Sequence, residues 1–248
     1  MNAKTIIYPL GSMTALILIW QAAATGADSL ALPGPWVVGQ VLYRETVSGQ
    51  LPLHLGITLA RLVASFAVAM IVGAGFGIVL GRHPTLDRML DPWLVTFLNI
   101  PALVIIILCY VWFGLGELAA IGAVVINKVP NVIVIVREGT RALDKDLLEM
   151  ADAYRFGPFK TLRHVIWPQL YPYLISAARN GLALIWKIIL VVELLGRSNG
   201  MGYQLHLYFQ MFNVAGILAY TVAFVAIVQL LELLLVKPLE TRATQWRR

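Results

Sequence analysis

EMADAYRFGPFKTLRHVIWP, residues Glu149 to Pro168, is a polar and basic stretch set between two segments apolar enough to cross a bilayer. A soluble patch inserted among membrane helices implies a soluble partner. Its spacing predicts a helix-turn-helix. Leu147, Met150, Ala151 and Tyr154 share one face through i, i+3 and i+4 steps, an apolar strip suited to a groove. Glu149, Arg155, Lys160 and Arg163 supply a polar rim. Gly157-Pro158 stops the first short helix, and Pro168 restarts the chain toward the next apolar run.

Composition agrees with a membrane setting. Of 248 residues, 59% are apolar and 13% charged, about half the charged fraction of soluble domains; the mean hydropathy is +0.78. Six apolar runs follow: Thr5 to Ala24, Ile57 to Leu80, Trp93 to Phe113, Leu118 to Val136, Leu174 to Leu195 and Val214 to Val236. Each is long enough to span, and little chain remains for a soluble ATPase or receptor domain. The excess of Lys and Arg, 19 against 13 acidic residues, then reads as loop bias rather than affinity for nucleic acid. With the amino terminus in the cytoplasm, thirteen basic residues fall inside, among them Lys4, Arg137, Lys237, Arg242, Arg247 and Arg248, against Arg44 and Arg197 outside.

The first run admits a second reading as a signal peptide, since Ala22 and Ala24 form a small-x-small site. Beyond it, Leu32-Pro33-Gly34-Pro35 predicts a structured turn, followed by a short interfacial helix over Trp36 to Val47. In the second run Gly73, Gly75 and Gly77 lie near Ala69 and Ala74, small residues that let helix backbones approach closely in lipid. Pro101, after Asn99, predicts a kink in the third span. Cys109 is the single cysteine, and His54, His83, His164 and His206 are too scattered to suggest a metal site.

The polar stretch resembles the cytoplasmic EAA loop of permeases of the ATP-binding cassette (ABC) importer class. In that pattern Glu149, Ala151 and Pro168 fall in register, Met150 replaces an Ala, Arg155 stands at the Gly position with Gly157 two places later, and Val165 and Trp167 replace Ile and Leu. Leu32-Pro33-Gly34-Pro35, Thr58-Leu59-Ala60-Arg61, Pro101, Trp112-Phe113-Gly114, Glu193 and Gly200-Met201-Gly202-Tyr203 are similar to motifs of the nitrate, sulfonate and taurine branch, in the same order. The resemblance implies an all-α polytopic fold of about six transmembrane helices with a coupling helix between helices four and five. It also implies one transmembrane domain, 1–248 with a core of roughly 54–236, in a bacterial inner membrane with both termini cytoplasmic. The implied partners are two ABC ATPase subunits, a second permease copy and a periplasmic or lipid-anchored binding protein. No catalysis is implied in this chain; ATP and magnesium would sit in the ATPases.

Charges inside the spans bear on the substrate. Lys128 and Lys187 fall near the middle of the fourth and fifth runs, where an unpaired charge costs about 2.5 to 3.5 kcal/mol on insertion scales. Pairing with Glu193 or Glu117, or snorkelling, is one reading. The other is a positive path for a sulfonate, carboxylate, nitrate or bicarbonate, with Asn127 adding a hydrogen bond and Glu193 also lining the path. Arg61 and Arg179 lie closer to span ends, where snorkelling is expected. A membrane scaffold of the energy-coupling type and a channel are the alternatives. A membrane enzyme is disfavoured, because no carboxylate pair, His cluster or Ser-x-x-Lys shares a depth.

Overall fold

Apolar runs in lipid must satisfy every backbone amide internally, and helices do so within one segment. The computed structural model describes residues 3–27, 29, 31–236 and 238, and the regular structure among them is helical. In chain order the helices are α1 Ala3–Ala27, α2 Pro35–Val47, α3 Gln50–Arg82, α4 Pro84–Asn99, α5 Ala102–Phe113, α6 Glu117–Arg141, α7 Lys145–Ala153, α8 Pro158–Thr161, α9 Trp167–Gly196, α10 Met201–Gln210 and α11 Val214–Leu231. The expected helix over Trp36 to Val47 is α2, entered through Pro35 at its first turn. Lys237, Arg242, Arg247 and Arg248, counted in the charge bias, lie outside the described residues.

Among the described residues four helices are long and apolar enough to cross a bilayer, or five when the α4–α5 pair counts as one span. Six were expected, and the third and first runs account for the difference. The third run does not kink but breaks: α4 and α5 meet at 95°. Pro101 forces the residue before it out of the helical region, and Ile100 is extended at φ −70° and ψ 125°. The 12 residues of α5 then reach only about 18 Å. The first run is the 25-residue helix α1, which stands outside the set of four; Trp20 Nε1 joins it to the Pro33 carbonyl at 3.1 Å.

The expected restart at Pro168 is also corrected. The helix runs on from Pro158 to Gly196 as one 39-residue span, with a π-helical turn at Leu162–Ile166 just before the proline. Pro168 has no N–H to give and its ring crowds the carbonyl four residues earlier, at His164. The wider π turn absorbs that clash without ending the helix.

The core is made where α3, α6 and α9 meet, with α5, α10 and α11 against them; Ile106, Val124, Ile185, Met201 and Tyr220 are at most 0% exposed to the nearest per cent. Glycines set the α3–α6 spacing. A Cβ on Gly73, Gly77 or Gly81 would fall within 2.6, 2.8 and 2.5 Å of the Cβ atoms of Val132, Val136 and Thr140. Each four-residue step on α3 matches a four-residue step on α6, so the two helices run parallel in register. Gly75 faces open space and is no part of the seam that the sequence grouped it with.

Candidate functional site

Three motifs far apart in sequence converge on Glu193, near the end of α9. Its side chain is fully buried. Thr58 and Arg61 stand one helical turn apart on α3 and so reach the same point. Arg61 Nη1 donates to Glu193 Oε1 at 2.7 Å, the Thr58 hydroxyl lies 2.9 Å from both carboxylate oxygens, and the Gly202 N–H donates to Oε2 at 2.9 Å. The rest of the Arg61 guanidinium is taken by Glu117, at 2.8 and 2.6 Å, and by the carbonyl and side chain of Asn199. Arg197 closes the ring on Glu117 at 2.5 Å.

The glycines of the Gly200-Met201-Gly202 motif are required by this carboxylate. A Cβ on Gly200 would run into the Glu193 carboxyl group, and one on Gly202 into the Leu190 carbonyl. Gly200 also adopts φ +105°, closed to most side chains. Its N–H donates to His54 Nδ1 at 3.0 Å, and the Met201 N–H to the Thr58 hydroxyl at 2.8 Å. Two arginines and two glutamates thus neutralise one another and staple α3, α6, α9 and the start of α10. A network in which both carboxylates and the whole Arg61 guanidinium are satisfied holds structure rather than a ligand.

Arg61 corrects the sequence expectation: it does not snorkel but is 4% exposed. Hydropathy sees a charge near a span end and cannot see that two carboxylates lie opposite. The usable signal was the pairing of Thr58-x-x-Arg61 with Glu193, one cation and one anion at matching depth. Glu193, expected along a substrate path, is instead occupied by Arg61, Thr58 and Gly202. Tyr110, not singled out from sequence, donates to the Val192 carbonyl at 2.8 Å and ties α5 to the same end of α9.

At the opposite ends of α3 and α6 a second set of charges forms. Arg137 Nη1 reaches Asp87 at 2.8 Å and Asp91 at 2.6 Å, and Arg141 pairs with Asp87 and with Glu138. These ion pairs anchor α4 to α6 just before the polar loop begins.

That loop starts with Asp144, whose carboxylate accepts from the backbone N–H groups of Asp146 and Leu147 at 2.9 and 3.3 Å, an N-cap typically worth about 1 kcal/mol. Gln169 accepts the Asp144 N–H at 2.8 Å and so hangs α7 from α9. Leu147, Met150 and Tyr154 are exposed, as are Phe159 and Leu162 beyond the turn, and Glu149 flanks them in solvent. Ala151 departs from the expected strip: it is buried against its own chain, because the i+4 step turns it just past the exposed edge. Pro168 is exposed at the start of α9.

Arg155 occupies the left-handed region, φ +51°. Phe156 N–H bonds the Ala151 carbonyl at 2.8 Å and Arg155 N–H the Asp152 carbonyl at 2.9 Å, the paired closure of a helix end that glycine usually makes. The turn therefore has not moved to Gly157, which is extended at φ −67° and caps α8. Arg155→Gly is expected to stabilise the loop by about 1 kcal/mol, read as slower limited proteolysis between α7 and α8; unchanged or faster cleavage would count against the strain.

The intramembrane lysines part company. Lys187 is exposed on α9 and Asn127 is half-buried, whereas Lys128 is 1% exposed and makes no pair with Glu193 or Glu117.

Known proteins place this architecture. The chain is 25% identical to the taurine transport system permease protein TauC of Escherichia coli, covering 98% of this chain and 91% of that one. It is 28% identical to the putative aliphatic sulfonates transport permease protein SsuC of Bacillus subtilis, over 94% and 84% of the two chains. With the bicarbonate transport system permease protein CmpB of Synechococcus elongatus the identity is 26%, over 76% and 72%. The fold is similar to that of the inward-facing MetNI methionine ABC transporter, with a TM-score of 0.68 at 20% identity over 81% of this chain and 99% of that one. Residues 73–236 match the model of the binding-protein-dependent transport system inner membrane component. The chain belongs to that family, the membrane-spanning permease subunits of ABC importers.

Proposed function

We propose that two copies of this chain form a path for a small anion through the bacterial inner membrane, both termini lying in the cytoplasm. In each copy α7 seats in a groove of an ABC ATPase, where ATP and magnesium are bound, and a periplasmic or lipid-anchored binding protein delivers the substrate. The whole chain acts as one transmembrane domain with its core at roughly 54–236. The substrate class, a sulfonate, taurine, nitrate, bicarbonate or another carboxylate, is supported by the names of three relatives, which carry taurine, aliphatic sulfonates and bicarbonate.

The observation that carries the coupling role is the exposure of Leu147, Met150 and Tyr154 on a helix that is capped at its start, closed at its end and tied to α9 by Gln169. Apolar side chains held rigidly in water are suited to a partner's groove.

Cys109 is the sole cysteine and is buried, so an introduced thiol reports alone. Met150→Cys and Tyr154→Cys are expected to cross-link to the ATPase subunit in membranes, and Trp36→Cys to leave it free. Tyr154→Asp is expected to cut ATP-driven uptake about tenfold or more while the chain still inserts. A purified complex without an ATPase, or equal cross-linking from all three positions, would overturn the coupling role.

A further inference from the structure

Ser65 Oγ and Lys128 Nζ are buried without a hydrogen-bond partner. Among the described residues the Nε atoms of Arg137 and Arg197 share that condition, but each belongs to a guanidinium group that is ion-paired through another nitrogen. Lys128 and Ser65 therefore have side chains with their polar function wholly unspent, at 1% and 0% exposure.

Their positions coincide in depth. The α3–α6 register set by Gly73 with Val132 and Gly77 with Val136 places Ala69 beside Lys128 and Ser65 one turn nearer the start of both helices. A long side chain on a helix leans toward its helix's amino end, which carries the Lys128 ammonium from the Ala69 level toward Ser65. The third wall is α9: a Cβ on Gly181 would lie 3.1 Å from Lys128 Cε and 3.4 Å from the Phe66 ring, so glycine there makes room for the lysine stem. Lys128 and Gly181 each sit at the middle of their helices.

Among the described residues no carboxylate pairs with Lys128. Glu193 and Glu117 are taken by Arg61 and Arg197. An ammonium offers donors and no acceptor, and a serine hydroxyl adds one more donor. In low dielectric such a group attracts an anion far more strongly than in water.

We propose that Lys128 Nζ and Ser65 Oγ form a small-anion subsite at the centre of the α3, α6 and α9 contact, closed in this structure and reached when α9 parts from α6. It rests on the reading of the chain as an anion-carrying permease and narrows that reading: Lys128, rather than Lys187 or Glu193, recognises the anion in transit.

The test uses the complete transporter, with its ATPases and binding protein, in proteoliposomes. Uptake is measured for taurine, ethanesulfonate, nitrate and bicarbonate, beside ATP hydrolysis and the thermal midpoint of the complex. Lys128→Met is expected to lower uptake at least tenfold while the thermal midpoint holds or rises, because an unpaired buried charge has been removed. Lys128→Arg should retain more uptake than Lys128→Met, and Ser65→Ala should lose severalfold. A lysine with a merely structural role would lose uptake and thermal midpoint together, and that outcome overturns the proposal, as does Lys128→Met uptake within twofold of wild type. A wild-type complex that hydrolyses ATP but takes up none of the four anions also overturns it and leaves the permease reading standing. Absence of a bound ATPase would sink that reading too.

Discussion

Arg61→Ala is expected to destabilise the folded chain by about 3 to 5 kcal/mol, because it leaves a fully buried carboxylate with no cation. Glu193 would keep only the Thr58 hydroxyl and the Gly202 N–H, too little for a charge at 0% exposure. Glu193→Gln should be milder, since the amide still accepts one hydrogen bond and Arg61 retains Glu117 and Asn199. The double variant Arg61→Ala, Glu193→Gln should cost less than the two single effects added, as contacting members of one network do. Unfolding in a denaturing-detergent titration reads all three. A cost under about 1 kcal/mol for Arg61→Ala, the range of exposed pairs, would show that the pair is solvated.

Gly77→Val is the second large effect. Its side chain has no room between Val136 and the Ile133 carbonyl, so α3 must move off α6 or distort, an overpacking cost of about 1 to 3 kcal/mol. The control lies two residues away: Gly75→Ala meets nothing and should be neutral or stabilising by up to about 1 kcal/mol. The same titration decides it, and equal effects at both positions would refute the seam as drawn.

Much of the helical fold was legible because a bilayer imposes it: runs of about 20 apolar residues have no other way to bury their amides. The polar loop was legible for the opposite reason, as a stretch that lipid rejects. What stayed hidden depended on which way a side chain faces. Gly73, Gly75 and Gly77 look alike in the sequence, and only the α6 neighbour separates them. Arg61 looked like an interfacial cation because hydropathy averages along the chain, whereas its partners come from residues 117, 193 and 199. Pro101 announced a disturbance but not its size, which follows from Ile100 leaving the helix altogether. Ala151 was placed on the right helix and one side too far round.

The crowding of Gly200 and Gly202 against Glu193 has a consequence for how such chains diverge. While the acid occupies position 193, any side chain at 200 collides with its carboxyl group, and Gly202 is held as tightly by the Leu190 carbonyl. A lineage that shortened residue 193 would remove that collision, although the φ of +105° would still favour glycine at 200, and Arg61 would then be left with an unspent charge. Substitutions at 61 and 193 should therefore arrive together or not at all, with glycine kept at 200, a correlated drift that relatives at 25 to 28% identity are distant enough to display.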